Sequence, residues 1–344
     1  MRITTRMMTS RYSKNLGNLA SGLDKLNYQI SSGRKFSRVS ENTSAAISAF
    51  QIRRDLSKLE GYQSNIEYAQ DTLSNAESAL MNINGMMQAA DSRILQGINA
   101  TMTTSDKTIV AKELREMQAQ LVQSLNATSM GSYCFGGTET QNKPFEIVSG
   151  TLQYNGKILN DINDTTIYPA GTEAKLKTDA MYLDIGLNLG FNPTVSQTVD
   201  PSTALNIALP GLNIVGSGTT PSSLSPPNDN IPNNLYDLLG RIATELESSS
   251  GSAVTLNTLF GHFQKQSANI MMTVTEIGSK SNYLEFMSKR MDNEVSNLKI
   301  RQANVEYADP TATIIDFKSQ EMAYNAALQM GQKIIQPSIF DFMR

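Results

Sequence analysis

The feature that most constrains this chain is a row of apolar side chains that recurs every seven residues within residues 45–98. Its members are Ile52, Leu59, Ile66, Leu73, Leu80, Met87 and Ile94. A second row follows five of these positions three residues later: Tyr62, Ala69, Ala76, Ile83 and Ala90. Spacings of three and four residues place these side chains on one narrow face of a helix, as in a left-handed coiled coil. Such a helix cannot bury its apolar face by itself, so the row predicts a partner helix.

A matching row in the second half of the chain predicts that the partner comes from the same molecule. Its members are Leu256, Phe263, Ile270, Ile277, Leu284, Met291 and Leu298. Two helices of matched length, one in each half, predict an antiparallel pair with the intervening residues at one end. We therefore expect an α+β fold, in which both chain halves form a long antiparallel α-helical coiled-coil bundle and a β-rich domain is inserted at one end.

The segment between the two rows has the composition of strands and turns. Nine of the eleven prolines lie within residues 144–232. The pair Asn155-Gly156 separates two short alternating segments, 151–154 and 157–159, which is a strong signal for a β-hairpin. Further strands are expected at residues 166–168 and 181–185. We expect five segments: an amino-terminal assembly helix and loop (1–44), two halves of the rod domain (45–143 and 233–307), a β-rich inserted domain (144–232) and a carboxy-terminal assembly helix (308–344).

Local residue signals predict where several helices begin and end. Gly33 is expected to end the first helix in a left-handed conformation. Ser40 or Asn42 can cap the long helix that follows, and Thr104 or Ser105 can cap a third helix. Asp309 followed by proline is expected to open the last helix.

Each end of the chain adds an amphipathic helix that lies outside the paired rods. The apolar residues are Tyr12, Leu16, Leu19, Leu23, Leu26, Ile30, Ile314, Phe317, Tyr324, Leu328 and Ile335, followed by Ile339, Phe340 and Phe342. These helices can pack within the monomer, or they can pair with the same helices of neighbouring subunits. The apolar final residues favour the second interpretation, because an exposed apolar patch is typical of an interface.

The first 40 residues are basic, with eight lysines and arginines against the single acid Asp24. A basic, serine-rich and acid-poor start is similar to a mitochondrial transit peptide. The apolar pattern continues past the length of such a peptide, which favours a structural helix instead. No apolar segment typical of a secretory signal peptide is found. The basic loop residues Arg34, Lys35 and Arg38 can pair with acids on a neighbouring molecule.

The composition offers little for catalysis or ligand binding. The formal net charge is −3 with 18% charged residues, so the chain shows no nucleic-acid footprint. A single histidine, His262, and a single cysteine, Cys134, exclude a disulfide within the chain and a histidine–cysteine metal cluster. No apolar run is long enough for a membrane span. We expect no enzyme activity, no cofactor, no metal and no small-molecule substrate.

Three motifs resemble the bacterial flagellin superfamily. The first is Ile30-Ser31-Ser32-Gly33-Arg34-Lys35 followed by Ser40-Glu41-Asn42, and the second is the segment 133–140 followed by Pro144-Phe145. The third is the ending 334–342, which contains Gln336-Pro337-Ser338. Filament flagellins usually end in a leucine-rich helix instead, so the chain is more similar to the members of this superfamily that form the junction between hook and filament.

The resemblance implies a structural protein of the bacterial flagellum that joins hook to filament and is needed for filament attachment and motility. It implies export through the flagellar type III channel without a cleaved signal, and an extracellular location at the hook–filament junction. The partners implied are further copies in a ring, the neighbouring hook-associated protein on the hook side, flagellin on the filament side and an export chaperone. The terminal helices, at about residues 1–40 and 308–344, would be disordered until they assemble.

Two other interpretations stay open from the sequence. The chain can be a filament-forming flagellin, which would polymerise into long filaments instead of stopping at a short ring. It can also be a non-flagellar coiled-coil module, such as the tip protein of a secretion needle. Two long helices of matched length are enough for that interpretation, but it does not account for the flagellin-like motifs at the two ends of the chain.

Overall fold

The computed structural model describes residues 5–98, 102–191, 198–221, 230–248 and 252–334, with side chains placed from residue 7 to residue 331. Helices make up most of it, and four small antiparallel sheets complete it within these ranges. The expected α+β class is confirmed. The helices are α1 Thr5–Ser32, α2 Thr43–Ile98, α3 Thr104–Leu125, α4 Thr172–Lys177, α5 Leu212–Val215, α6 Leu235–Glu247, α7 Ala253–Glu306 and α8 Pro310–Ile334, with a 3₁₀ turn at Val39–Glu41.

The strands are short and pair only with near neighbours in sequence. They are β1 Thr128–Ser129, β2 Ser132–Tyr133, β3 Phe145–Val148, β4 Thr151–Tyr154, β5 Lys157–Ile158, β6 Tyr182–Leu183, β7 Leu205–Asn206, β8 Thr219–Thr220 and β9 Ile231–Pro232. The pairs β1–β2, β6–β7 and β8–β9 are two-stranded, and β3–β4–β5 is a three-stranded meander. The predicted turn between β4 and β5 is confirmed, since Asn155 and Gly156 have φ values of 48° and 73°.

Two strand predictions need correction. The strand expected at 166–168 is wrong, because Asp164 Oδ1 accepts hydrogen bonds from the Thr166 N–H at 2.8 Å and the Thr166 hydroxyl at 2.6 Å. Such a side-chain-to-backbone bond folds the segment into a turn. The strand expected at 181–185 is reduced to Tyr182–Leu183. It stops there because Asp184 Oδ1 accepts from the Gly186 N–H at 2.9 Å.

Helix ends follow the local signals with one shift. Gly33 ends α1 with φ 68°, and Asn42 caps α2 by accepting from the Ala45 N–H at 3.0 Å. The cap predicted at Thr104 or Ser105 is wrong by one position, because Thr103 forms a capping box with Asp106. The reciprocal bonds of a capping box satisfy two free N–H groups at once, which favours this start over the next threonine.

The described residues fall into two compact units. We call Met1–Glu60 together with Asp292–Arg344 the terminal unit, and Gly61–Met291 the central unit. In the terminal unit α1 packs against α8. In the central unit α3 packs against α6, where Arg115 and Glu247 form an ion pair of 2.8 Å.

Two contacts within the central unit show that α2 and α7 run antiparallel there. Tyr62 of α2 and Met291 of α7 both lie against Gly186, and the Gln264 side chain donates to Asp91 at 3.0 Å. A higher number on α2 therefore meets a lower number on α7. We call the two seven-residue rows predicted from the sequence, one on α2 and one on α7, the seam. Thirteen of its fourteen residues are buried, while Leu298 is half-buried. The buried ones are Ile52, Leu59, Ile66, Leu73, Leu80, Met87, Ile94, Leu256, Phe263, Ile270, Ile277, Leu284 and Met291.

Candidate assembly site

The terminal unit contains the helices that the sequence assigns to subunit assembly. α1 and α8 pack side by side and antiparallel, because Tyr12 lies against Gly331 and Gly22 lies against Gln320. At Gly331 a Cβ atom would collide with the Tyr12 ring, whereas at Gly22 it would meet only the movable end of the Gln320 side chain. Glycine at position 331 is therefore what allows the Tyr12 ring to approach α8 so closely. We call α1 and α8 together the terminal helix pair.

The terminal helix pair covers its predicted assembly residues only in part. Half-buried residues are Tyr12, Leu16, Leu19, Leu23, Leu26, Phe317 and Tyr324. Exposed residues are Ile30, Ile314 and Leu328. The remaining predicted residues lie outside the described side chains: Ile335, Ile339, Phe340 and Phe342. None of the ten that the structure places is fully buried, so the pair leaves apolar surface exposed.

A second set of apolar side chains on these helices escaped the sequence analysis. Met322 and Ile315 are the most exposed of them, at 67% and 63%. The others are Met7, Met8 and Met330. These residues lie outside the single stripe, spaced by three and four residues, on which the sequence prediction rests. The available signal was that α8 is apolar on more than one side, which is typical of a helix with partners on more than one side.

A short set of backbone hydrogen bonds joins the end of α1 to the segment between α7 and α8. The Lys35 N–H donates to the Glu306 carbonyl oxygen at 2.8 Å, and the Ala308 N–H donates to the Gly33 carbonyl oxygen at 2.9 Å. Asp309 then opens α8 by accepting from the Thr311 N–H at 2.9 Å. These bonds satisfy polar groups at both helix ends and fix the direction in which α1 and α8 leave this junction.

An ion pair between α2 and α7 lies next to these backbone bonds. Arg53 Nε and Nη2 donate to Glu306 Oε1 and Oε2 at 2.7 Å and 2.6 Å. The hydrogen bonds to Glu306 raise the pKa of the Arg53 guanidinium. Both residues line a cavity of about 120 Å³ with Arg34, Phe36 and Phe50 among its walls. A bidentate pair of this kind adds geometric specificity, so it holds the register of the two helices.

The basic loop between α1 and α2 is partly engaged within the chain. Lys35 Nζ donates to the Asn304 carbonyl oxygen, which ties this lysine to α7. Arg34 and Arg38 are exposed. Lys35 is exposed as well, so all three basic residues that the sequence offers to a neighbour are accessible to solvent.

Cys134 and His262, the two residues that the sequence analysis considers for catalysis or metal binding, lie in structural positions. Cys134 is 7% exposed, and burial raises the pKa of its thiol. His262 is half-buried on α7. Within the described ranges, no group of three or more histidine, cysteine, aspartate or glutamate side chains is placed to hold a metal ion. No helix in those ranges has both the length and the apolar character needed to cross a membrane.

Comparison with known proteins places these features in a family context. Residues 3–140 match the bacterial flagellin N-terminal helical region. The chain is 22% identical to flagellar hook-associated protein 3 of Salmonella typhimurium and 23% identical to the protein of that name from Escherichia coli. Both comparisons cover 100% of this chain and 100% of the relative. The resemblance that the sequence motifs indicate is confirmed.

Solved structures agree on the fold. A flagellar hook-associated protein from Vibrio parahaemolyticus superposes with a TM-score of 0.59 at 18% identity, over 78% of this chain and 100% of that chain. The flagellar junction protein of Legionella pneumophila superposes with a TM-score of 0.53 at 13% identity, over 75% of this chain and 99% of that chain. At these identities the likeness shows a shared fold.

Proposed function

We propose that this chain, a relative of flagellar hook-associated protein 3 in the flagellin superfamily, is a ring-forming structural subunit that joins hook to filament in the bacterial flagellum. Filament attachment and motility would depend on it. The observation that carries the proposal is the terminal helix pair, whose apolar residues remain partly or fully exposed. Full-length similarity to proteins of that name supports the same role.

The mechanism follows from the exposed faces of α1 and α8. Each copy would bury its remaining apolar surface against the terminal helix pairs of its neighbours, with different faces meeting at each contact. Head-to-tail contacts of this type generate rings or open tubes. At about 25 cal/mol per Å² of apolar area, two long half-exposed helices supply a substantial driving force. The role is structural, and the proposal includes no catalysis, cofactor or small-molecule substrate.

The same surface accounts for the proposed partners and location. Further copies would form the ring, the neighbouring hook-associated protein would contact it on the hook side, and flagellin would contact it on the filament side. An export chaperone would cover the apolar helices before export, which would proceed without a cleaved signal to the hook–filament junction outside the cell. Ordering the helices only on assembly moves the entropic cost of ordering to the moment of binding.

The test is to place a charge on the exposed face of α8. Met322→Glu removes apolar surface that is 67% exposed, so the monomer should fold normally while filament attachment and swimming are lost. Val254→Glu, at the start of α7, is the matched control because Val254 is equally exposed at 67%. Cells that carry this variant should swim. Electron micrographs would count filaments per cell. Normal filaments on cells with Met322→Glu would refute the proposed role of this face.

Deletion of residues 336–344 tests the carboxy-terminal end of the same surface. We expect the monomer to remain folded, since the buried residues of α2 and α7 are unchanged. We expect incorporation into flagella to fail, and immunoblotting of isolated flagella would measure the amount incorporated. Adding the intact purified protein to isolated hooks distinguishes a junction subunit from a filament flagellin. Growth of long filaments from this chain alone would favour a filament flagellin.

A further inference from the structure

Methionine supplies much of the exposed apolar surface of the terminal helix pair. Among the described residues of α1 and α8, nine large apolar side chains are exposed, and four of these are methionines. We call them the terminal methionines: Met7, Met8, Met322 and Met330, which are 45–67% exposed. Leucine and isoleucine also provide apolar surface, but only methionine carries a thioether sulfur that mild oxidants attack. The surface assigned to assembly therefore contains oxidisable groups.

Met322 faces directly away from α1. Gly331 lies against Tyr12 and Gln320 lies against Gly22, so positions 320 and 331 mark the inner side of α8. With ~3.6 residues per turn, Met322 lies roughly 160–180° around the helix from both positions. Its sulfur is therefore accessible to a dissolved oxidant in a single free chain.

Other sulfur atoms of the chain are much less accessible. Met87, Met287 and Met291 of the two long helices are at most 2% exposed. The single cysteine, Cys134, is 7% exposed, and burial raises the pKa of its thiol, so little reactive thiolate forms. A dissolved oxidant therefore reaches exposed methionines before it reaches Cys134 or the buried methionines.

These observations point to a modification site on the assembly surface. We propose that the terminal helix pair is a reversible oxidation site, at which hydrogen peroxide converts the terminal methionines of the free chain to sulfoxides and so prevents the chain from joining the ring. The inference rests on the proposed function, because the surface that oxidation changes is the one assigned there to assembly.

The reaction is the transfer of one oxygen atom to sulfur. A lone pair of the thioether sulfur attacks one peroxide oxygen, so an S–O bond forms while the O–O bond breaks. Sulfur loses two electrons and peroxide gains them. The departing hydroxide takes the proton of the transferred hydroxyl group and leaves as water. Methionine sulfoxide reductases convert the product back to the thioether.

The modification changes what the terminal helix pair can bury. A sulfoxide is polar, so covering it with a neighbouring copy costs free energy unless it finds a hydrogen-bond donor. Losing the burial of one methionine side chain weakens association about tenfold or more. In an assembled ring the neighbouring copies would cover these sulfur atoms and slow the reaction. Oxidation should therefore act on free chains and spare assembled ones.

Peroxide treatment followed by peptide mass spectrometry tests the site on the unmodified chain. In the purified protein we expect sulfoxide at the terminal methionines and several-fold less at Met87, Met287 and Met291. The same treatment of isolated flagella should oxidise the terminal methionines several-fold less than in the free chain. Equal oxidation of terminal and buried methionines, or equal oxidation in the free chain and in flagella, would overturn the proposal.

Binding of treated chains to hooks from cells that lack this chain tests the consequence. One variant has leucine at the terminal methionines (Met7→Leu, Met8→Leu, Met322→Leu and Met330→Leu). The control variant has leucine at four methionines of the central unit, which are 45–70% exposed: Met81→Leu, Met130→Leu, Met271→Leu and Met272→Leu. Each chain is compared with its own untreated sample, and immunoblotting of the pelleted hooks measures the bound amount.

Peroxide should lower binding of the unmodified chain and of the control variant about tenfold, whereas the terminal variant should lose several-fold less. Methionine sulfoxide reductase should restore binding of the unmodified chain. If the terminal variant does not fold, Met322→Leu alone replaces it and should reduce the loss in part, because this position is the most exposed of the four.

The outcomes separate this inference from the proposed function. If untreated chains bind hooks and treated unmodified chains bind equally well, the oxidation site has no effect on assembly and the proposed function stands. A loss that persists in the terminal variant, or that the reductase does not reverse, also overturns the inference alone. If untreated chains do not bind hooks, the junction role fails together with the inference that rests on it.

Discussion

Two adjacent arginines of α2 show how burial decides what an ion pair contributes. Arg53 bonds to Glu306, whose side chain is 3% exposed, whereas Arg54 bonds to Asp55 at 3.2 Å with both side chains largely in solvent. An exposed pair contributes only ~0–1 kcal/mol, because water and salt screen it. A buried carboxylate, by contrast, depends on its partner, since leaving it unpaired has a large desolvation cost. Only the first pair should matter for stability.

We expect Arg53→Met to lower the free energy of unfolding by about 1–3 kcal/mol, the cost of leaving a buried polar group unsatisfied. The value should fall toward the lower end because Arg53 itself is 44% exposed. Arg54→Met is the matched control on the same helix and should change stability by less than about 1 kcal/mol. Urea denaturation followed by circular dichroism measures both. Adding Glu306→Gln to Arg53→Met should recover part of the loss, and equal effects of the two arginine variants would show that the pair is not stabilising.

Asp237 predicts a pH dependence in the central unit. Burial raises the pKa of this carboxyl group, against the hydrogen bonds from Asn234 and Asn160 at 2.8 Å and 2.7 Å that lower it. The folded chain therefore binds this proton more tightly than the unfolded chain does. The resulting contribution to the free energy of unfolding is fully present below the ordinary pKa, and it is lost as pH rises through the raised pKa. Asp237→Asn should become progressively more stable relative to the unmodified chain as pH rises above about 4.

The control for this prediction has the opposite sign. Hydrogen bonds from Thr166 lower the pKa of Asp164, so its ionised form favours folding. Asp164→Asn should therefore become less stable relative to the unmodified chain as pH rises. Thermal unfolding from pH 3 to pH 7 would compare both variants. Parallel pH profiles for the two variants would contradict the assignment of Asp237.

At the scale of elements, periodicity and turn chemistry were enough to predict the long helices and one hairpin. A seam that repeats every seven residues marks α2 and α7 because a buried helix face needs apolar side chains at fixed spacing. Asn155-Gly156 marks the turn between β4 and β5 because both positions need positive φ. The apolar rows of the terminal helices were also found this way, and their role in assembly stays a prediction.

Other elements depend on contacts that a local pattern does not contain. The turn at residues 164–166 and the cap at Thr103 depend on local side-chain hydrogen bonds that compete with the regular pattern. The ion pair of Arg53 with Glu306 joins residues 253 positions apart, so only the folded chain brings them together. The exposed methionines of α1 and α8 lie outside the single stripe that sequence reasoning followed.

The close approach of α1 and α8 gives a prediction at this scale. Gly331→Ala places a methyl group against the Tyr12 ring, which should separate the two helices despite the better helix propensity of alanine. When co-expressed with the unmodified chain, the variant should be incorporated into flagella several-fold less well. Tyr12→Leu in the same chain removes the facing ring and should recover incorporation, with Tyr12→Leu alone as the control. Equal incorporation of Gly331→Ala and the unmodified chain would show that this contact is not needed.

At the scale of the whole molecule, the long helices and the terminal helix pair differ in how well they cover their apolar residues. α2 and α7 bury their apolar rows, with Leu73, Leu80 and Leu284 fully inaccessible, whereas the described assembly residues of α1 and α8 are at best half-buried. A pair of helices with one partly covered face has little tertiary packing to stabilise it, and isolated helices are marginal in water. The free chain should therefore open first at its two ends.

Limited proteolysis of the purified protein tests this difference. We expect both ends to be trimmed early, leaving a helical core from about residue 45 to residue 305, because local opening exposes α1 and α8 before the seam. Mass spectrometry would define the core, and the same digestion on isolated flagella should leave the ends intact if neighbouring copies cover them. Ends that resist cleavage in the free protein would show that α1 and α8 are already stable within one chain. Assembly would then have to use their outer faces as a preformed surface, and the ordering of these helices would no longer be a step in joining the ring.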